Sequence, residues 1–345
     1  MEAVVWRAYG PPEVLRLERL PVPVPREDEV LVRVHASTVT SSDALMRRGE
    51  SAAGRIVVGL RRPRRRYRIP GLELSGTVEA VGRRVTRYGP GDEVFGFTGF
   101  RLGAHAEYAC LPERGSLAIK PPNVSHSGAA ALVDGATTAL YFLRDRAGVR
   151  PGQALLVVGA SGSVGGYAVQ LARYLGAEVT GVAGTRNQEL IRSLGAHRVV
   201  DYTQEDPYAP LARYDVVFDA IGAAPFTRCR RALTARGRYL TTVPGPVSFA
   251  QSLWTRVVPG RRVVQGMSLA KAEALATVRA LAEDGVLHPL IDRSYPLHRI
   301  AEAHRYVDRG HKRGNVVLRV DRGEAPSGDP AEGAETVRPV LPGPD

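Results

Sequence analysis

The sequence predicts an α/β protein, in which a doubly wound parallel sheet is joined to a smaller, β-rich domain. Three observations carry this. From about residue 123 short apolar runs alternate with segments of helical spacing, and six such runs occur. The first of them ends directly in a glycine-rich turn. Up to about residue 122 the chain is instead strand-like and broken by turns. A length of 345 residues suits two domains better than one.

In chain order, Pro21, Pro23 and Pro25 read as an extended connector. Val30, Val32 and Val34 then alternate with Leu31, Arg33 and His35, the period-two pattern of a strand. Gly71, Gly76, Gly82, Gly89, Gly91 and Gly96 punctuate short Val-rich runs, as in a small β-rich domain or barrel. Residues 154–160 (Ala-Leu-Leu-Val-Val-Gly-Ala) form a run of the length of a buried parallel strand. Val164, Ala168, Leu171, Ala172 and Leu175 follow at the spacing of a helix's buried stripe. Further strands are expected at 178–183, 198–202, 215–220, 238–243 and 262–267, with a helix ending at Leu194–Gly195. Six strands with helical crossovers wind into a parallel sheet because right-handed βαβ units pack back only that way. A helix over 269–284 and a strand over 315–320 complete the ordered part. Residues 321–345, rich in Pro, Gly and acids and without periodicity, are expected to be disordered.

Composition narrows the function. Apolar residues make up 44% and charged residues 24%, enough to bury a core and to exclude disorder over the whole length. The balance of 47 Lys+Arg against 35 Asp+Glu gives a net charge of +12. Only Lys120, Lys271 and Lys312 are lysines, an imbalance that resembles codon bias more than selection for a polyanion. Cys110 and Cys229 are too few for a disulfide framework or a four-Cys zinc lobe. The start, MEAVVWRAYG, has an acid and no long apolar run, and no stretch reaches a membrane-spanning length. A cytoplasmic protein without membrane or nucleic-acid partners is expected.

Gly159-Ala160-Ser161-Gly162-Ser163-Val164-Gly165 lies directly after the first strand and opens a helix. Its Gly-x-x-Gly-x-x-Gly spacing departs from the usual dinucleotide fingerprint, but the mechanics survive. Small residues let the backbone approach a pyrophosphate, and the helix N-terminus offers N–H groups and the positive end of its dipole. Where an NAD site would place an acid for the ribose 2′-hydroxyl, at the end of the second strand, this chain has Gly184-Thr185-Arg186-Asn187. An arginine suits a 2′-phosphate, so NADPH is the expected cofactor.

Several ordered motifs resemble the medium-chain dehydrogenase/reductase superfamily, in its zinc-independent quinone oxidoreductase branch. They are Pro70-Gly71-Leu72-Glu73 with Gly76 and Val78, Gly91-Asp92-Glu93-Val94, Thr137-Thr138-Ala139, the glycine motif, and Gly314-Asn315-Val316-Val317. The resemblance spans about residues 1–320. It implies a GroES-like catalytic domain over 1–122, completed by 285–320, and a Rossmann NADP-binding domain over 123–284. It also implies cofactor contacts at Thr138, Tyr202, Val243, Arg313 and Asn315, and a homodimer, as is frequent among the relatives.

The superfamily's zinc-dependent alcohol dehydrogenases place metal ligands where this chain has Thr40, Leu72 and Asp134. These residues do not supply the thiolates and imidazoles that zinc wants, so no metal is expected. Without a Lewis acid, alcohol oxidation gives way to hydride transfer onto a quinone or onto the activated double bond of an enone or enal. Thr40 and Asp43 are the candidate catalytic residues. Quinone oxidoreductases commonly carry Asn at the Thr40 position, and many carry Tyr two residues beyond the Asp43 position. Here those residues are Thr40 and Leu45, which leaves the proton to solvent, Ser41, Ser42 or the cofactor's ribose hydroxyl. His35, His105, His126 and His197 show no ligand spacing and receive no role. The stretch Arg61–Arg68 reads as a solvated loop, with an anionic-substrate rim as the sharper alternative and nucleic-acid contact, which no motif supports, as the third. An alcohol dehydrogenase-type oxidoreductase and a non-catalytic NADPH-binding redox sensor remain the rival readings.

Overall fold

The computed structural model describes residues 1–320 except 51, 210, 212 and 244, so the segment 321–345 expected to be disordered lies outside the described residues. The chain divides into two compact units. Among the described residues the first comprises 1–134, 270–283 and 289–320, and the second comprises 135–269 and 284–288.

The second unit is built on a six-stranded sheet, parallel throughout. In spatial order its strands are Arg198–Asp201, Glu178–Ala183, Ala154–Val158, Tyr214–Asp219, Leu233–Thr241 and Arg262–Gln265. The order reverses between the first strand in the chain, Ala154–Val158, and the fourth, Tyr214–Asp219. That switch point opens the crevice in which doubly wound sheets take their ligands. Ala154–Val158 is an unbroken apolar run because both of its faces are covered: Leu155, Leu156 and Val157 are fully buried. The helix Ser163–Tyr174 buries the expected stripe, with Ala168, Leu171 and Ala172 at zero exposure.

The strands expected from sequence all form, with small shifts at their ends. The fifth begins earlier than expected, at Leu233, where a register shift in its pairing with Tyr214–Asp219 accommodates Thr234, Ala235 and Arg236. The expected helix over 269–284 is shorter, Ala272–Glu283.

The first unit centres on a mixed sheet that includes Glu29–Val39, Glu73–Val81, Glu93–Phe97, Ser116–Ile119, Ile291–Pro296 and Asn315–Arg319, with Tyr108–Pro112 pairing on Glu29–Val39. The period-two pattern of Glu29–Val39 survives only in part. Leu31 is buried along with Val30, Val32 and Val34, since the strand is covered on both sides. The core gathers Trp6, Val32, Leu74, Val94, Leu111 and Val316, and Trp6 Nε1 donates to the Tyr67 carbonyl at 2.6 Å.

Candidate cofactor and acceptor sites

In the second unit the glycine turn ends the strand Ala154–Val158 and starts the helix Ser163–Tyr174. Gly159 has φ +77°, and a Cβ there would stand 2.6 Å from Ile221 Cγ2. Gly165 lies in the first helical turn, where a Cβ would overlap the Gly159 carbonyl oxygen and approach its carbon to 2.7 Å. Gly162 is the N-cap and, as a glycine, offers no side-chain oxygen to the helix N-terminus, which carries the positive end of the dipole. Ser161 accepts from Asn187 Nδ2 at 3.2 Å, which ties the turn to the loop after the second strand. Ser163 and Val164 are half-buried. Gly135 is packed so closely on Ser163 and the Tyr167 ring that any side chain there would collide. Thr138 lies one helical turn beyond Gly135 on the same helix, His126–Leu140.

Opposite the glycine turn, the fourth strand ends at Asp219, which is fully buried. Its Oδ1 accepts the N–H groups of Ile221, Gly222 and Ala223 at 3.1, 2.8 and 3.2 Å. Its Oδ2 accepts the Ala224 N–H at 2.8 Å and the Tyr239 hydroxyl at 3.2 Å. One carboxylate thus shapes the turn that presents Ile221 to Gly159. Val243, half exposed, comes from the loop after the fifth strand, where a Cβ on Gly222 would meet it at 3.0 Å. Gly159, Ile221 and Val243 are therefore brought to one end of the sheet, at the switch point.

At the end of the second strand Thr185 and Arg186 are exposed. The Tyr202 hydroxyl would lie 3.5 Å from a Cβ on Gly184, so the two segments expected around a 2′-phosphate do meet. The structure adds an acid that sequence spacing did not reveal. Asp201, at the end of the third strand, accepts the Thr185 hydroxyl at 2.5 Å, the Thr203 hydroxyl at 2.7 Å and Gln188 Nε2 at 3.2 Å. These bonds, Thr185's first, hold its carboxyl down to about 2. Thr185's hydrogen is spent on Asp201, which leaves Arg186 as the cationic candidate.

In the first unit Thr40 is the N-cap of the helix Ser41–Arg48 and forms a capping box with Asp43. The Asp43 N–H donates to Thr40 Oγ1 at 3.0 Å, and the Thr40 N–H donates to Asp43 Oδ2 at 2.9 Å. The two side chains share a further hydrogen bond of 2.6 Å between Oγ1 and Oδ2. Asp43 is 2% exposed, and burial above all pushes its carboxyl upward.

The three positions that carry metal ligands in zinc-dependent relatives do not fit a metal. Thr40 is bound up with Asp43, Leu72 is buried and has no donor, and Asp134 Oδ1 is in a 2.8 Å ion pair with the fully buried Lys271. Among the described residues no three His, Cys, Asp or Glu side chains are grouped to hold a metal. Glu73, beside Leu72, accepts from the Thr38 hydroxyl and from the Asp134 N–H, the latter at 2.6 Å. Burial first, then the Asp134 charge, raises its carboxyl above the ordinary value of 4.5. A carboxyl raised on folding adds stability that is complete below pH ~4.5 and is lost as pH rises through the folded value. Unfolding free energy should therefore fall on the alkaline side in the wild type, and Glu73→Gln should flatten that slope in denaturant titrations repeated across pH. An unchanged slope would assign the neutral form of Glu73 no part in stability.

Of the two C-terminal candidates, Asn315 is 3% exposed and spends its amide hydrogens on the Ala131 and Leu290 carbonyls, at 3.1 and 2.9 Å. Arg313 is exposed, and its N–H donates to Asp292 at 2.9 Å. The Arg61–Arg68 segment is a surface loop anchored by the buried Pro63 and Tyr67, with Arg66 lying over the Tyr67 ring at 4.6 Å. His105 and His304, which the sequence left without roles or notice, are buried in the first unit with their rings edge-on, and His105 is close enough to Asp43 for their charges to interact. Asp219, Asp201 and Glu73 were likewise missed as functional groups. The one available signal was an acid at the end of an apolar strand.

Comparison with known proteins gives a consistent picture. Residues 26–122 match the alcohol dehydrogenase GroES-like domain and residues 194–318 match the zinc-binding dehydrogenase family. The chain is 32% identical over 332 residues to an NADPH-dependent alkenal/one oxidoreductase of Arabidopsis thaliana, covering 92% of this chain and 79% of the relative. It is 30% identical over 330 residues to a chloroplastic quinone oxidoreductase of Triphysaria versicolor, covering 92% and 98%. The solved quinone oxidoreductase of Coxiella burnetii superposes with a TM-score of 0.84 at 27% identity, over 93% of this chain and 99% of that one.

Proposed function

The chain belongs to the medium-chain dehydrogenase/reductase superfamily, in its quinone-oxidoreductase-like branch, and from that premise we propose that it reduces a quinone or an enone or enal with NADPH. The observation that carries the proposal is the turn at Gly159–Gly165, whose tight helix–strand approach and uncapped helix fit a pyrophosphate. NADPH bound there supplies a hydride from its nicotinamide. Asp219 and Ile221 shape the turn beside Gly159, and Arg186 and Tyr202 take the role of reading the 2′-phosphate. Residues 123–284 take the cofactor role, and 1–122 with 285–320 take the catalytic role. Thr40 and Asp43 are the catalytic candidates of the first unit, with no step assigned to a metal.

NADPH consumption against a panel of quinones, enals and enones tests the reading, together with quenching of cofactor fluorescence. Binding without any turnover would favour the redox-sensor reading. Stoichiometric zinc in the purified protein would favour the alcohol dehydrogenase reading that the two family matches keep open. Absence of both binding and turnover would overturn the proposal. Arg186→Ala should weaken NADPH by about 1.5–3 kcal/mol, roughly ten- to a hundredfold, while NADH changes little. Equal losses for both cofactors in titration would remove the 2′-phosphate role.

A homodimer and a cytoplasmic location belong to the same proposal. The helix Pro246–Val257 exposes Phe249, Leu253, Trp254 and Val257 beside the edge strand Arg262–Gln265, an apolar face that a second copy would cover. Among the described residues no helix is long and apolar enough to cross a membrane.

A further inference from the structure

Arginines gather at one place on the first unit. Seven of them lie within residues 55–68, and no Asp or Glu occurs between Glu50 and Glu73. A preference for arginine over lysine sets which cation a chain uses, not where its cations gather. The two flanking acids are engaged elsewhere: Glu50 pairs with Arg48 at 2.8 Å, and Glu73 is buried. Among the described residues none of the seven guanidinium groups is in an ion pair, and six of the seven arginines are exposed.

The backbone presents this charge on a closed turn. The helix Ala52–Val58 ends at Gly59, whose φ is +151° and where a Cβ would overlap the Arg62 carbonyl oxygen. The Arg64 N–H donates to the Val58 carbonyl at 2.9 Å and closes the turn. Val58, Pro63 and Tyr67 face inward and anchor it. Arg55 lies over the Tyr9 ring at 5.1 Å, and the Arg64 charge also acts on the Tyr9 hydroxyl, so helix and turn bring their arginines to one ring.

Two large aliphatic side chains stand among these charges. Ile56, on the helix, is 64% exposed, and Leu60, on the turn, is 65% exposed. The inward places of the segment are already filled by Val58, Pro63 and Tyr67, so neither side chain has a share in the core.

The chemistry of the patch selects among anionic partners. A nucleic acid offers phosphates but wants aromatic platforms for its bases, and the one aromatic residue of the segment, Tyr67, is 8% exposed. A small anionic substrate wants groups that converge at depth, whereas these arginines stand on an exposed turn. An anionic bilayer offers phosphates to the guanidinium forks and, just beneath them, hydrocarbon to the aliphatic side chains.

We propose that the helix Ala52–Val58 and the turn that follows it dock the protein onto an anionic lipid bilayer, with the arginines on the phosphates and Ile56 and Leu60 entering the interface. Such contact needs a basic, apolar surface and no spanning helix. Docking involves neither cofactor nor turnover and so stands apart from the hydride-transfer reading. Where that reading holds, docking brings the chain to the surface into which lipophilic quinones and enals partition.

Sedimentation of the full chain with vesicles tests this. Phosphatidylcholine vesicles containing about a third phosphatidylserine should carry the protein down, pure phosphatidylcholine should not, and salt should weaken the binding. Arg61→Gln, Arg62→Gln and Arg65→Gln together should lower the partition coefficient about a hundredfold, because each cation near such a surface contributes about fivefold. Ile56→Ser with Leu60→Ser should lower it about tenfold and leave heparin binding unchanged. Urea midpoints equal to that of the wild type establish that the variants fold. The wild type supplies a reading that needs no variant: anionic vesicles should protect the bonds after Arg61, Arg64 and Arg65 from trypsin. Equal sedimentation with both kinds of vesicle, tryptic cleavage unaffected by anionic vesicles, or wild-type binding by the triple Gln variant would overturn the proposal. Undiminished vesicle binding after Ile56→Ser with Leu60→Ser would make the patch a general polyanion site and overturn the lipid assignment.

Discussion

Asp219→Ala should destabilise the protein by about 3–5 kcal/mol and abolish cofactor binding, the largest effect expected of any single substitution in the second unit. The carboxylate is fully buried and accepts four consecutive backbone N–H groups and the Tyr239 hydroxyl. Hydrogen bonds to a charged acceptor contribute more than neutral ones, and its removal leaves several buried donors unsatisfied at once. The four amides belong to the turn that places Ile221 against Gly159, so the stability loss and the binding loss share a cause. Urea titration reads the first and NADPH fluorescence the second. Asp219→Asn tests the charge separately, since an Asn must turn its NH2 toward some of those amides; it should fall between the wild type and Ala. A change in urea midpoint equivalent to less than about 1 kcal/mol for Asp219→Ala would show that the turn keeps its shape without the carboxylate.

Gly165→Ala should reduce NADPH affinity at least about tenfold and cost roughly 1–3 kcal/mol of stability. The added Cβ meets backbone: the Gly159 carbonyl, and the Ala160 Cα at 3.0 Å. No rotamer change can relieve that, so the helix must move off the strand and carry its N-terminus away from the phosphate position. Gly162→Ala is the control. Its Cβ would approach nothing closer than 3.4 Å, and its φ of −79° suits any residue. Gly162→Ala should bind NADPH almost normally. Similar losses for both substitutions would mean that the turn tolerates no side chain for a reason other than helix–strand contact.

How much of this was legible depends on distance along the chain. The second-unit strands were legible because a parallel strand covered on both faces is written as one apolar run, as in Ala154–Val158. The glycine turn was legible because its geometry is local, from strand end to helix start. Leu31 was misread as the polar phase of an alternating strand, since burial of both faces of Glu29–Val39 depends on elements far away in sequence. Asp201 escaped notice for a related reason: spacing put the expected acid at the end of the second strand, and pairing brought one from the end of the third. His105 was passed over because it has no ligand spacing. Its partners are the Thr38 carbonyl and the charge of Asp43, 67 and 62 residues away.

The sequence by itself determined the fold class, the place of the glycine turn between strand and helix, and that Thr40, Leu72 and Asp134 stand where zinc-dependent relatives carry ligands. Each is a matter of residue type at a local position, where steric room, hydrophobic period or ligand chemistry leaves little choice. The tertiary structure alone decided how the buried charges are used. Asp134 pairs with Lys271, Thr185 gives its hydrogen to Asp201, and Asp43 comes to lie near a histidine from another strand connection. The physical reason is that a charge or a proton is stabilised by whatever stands within a few ångströms of it, and folding, not order along the chain, chooses that neighbour.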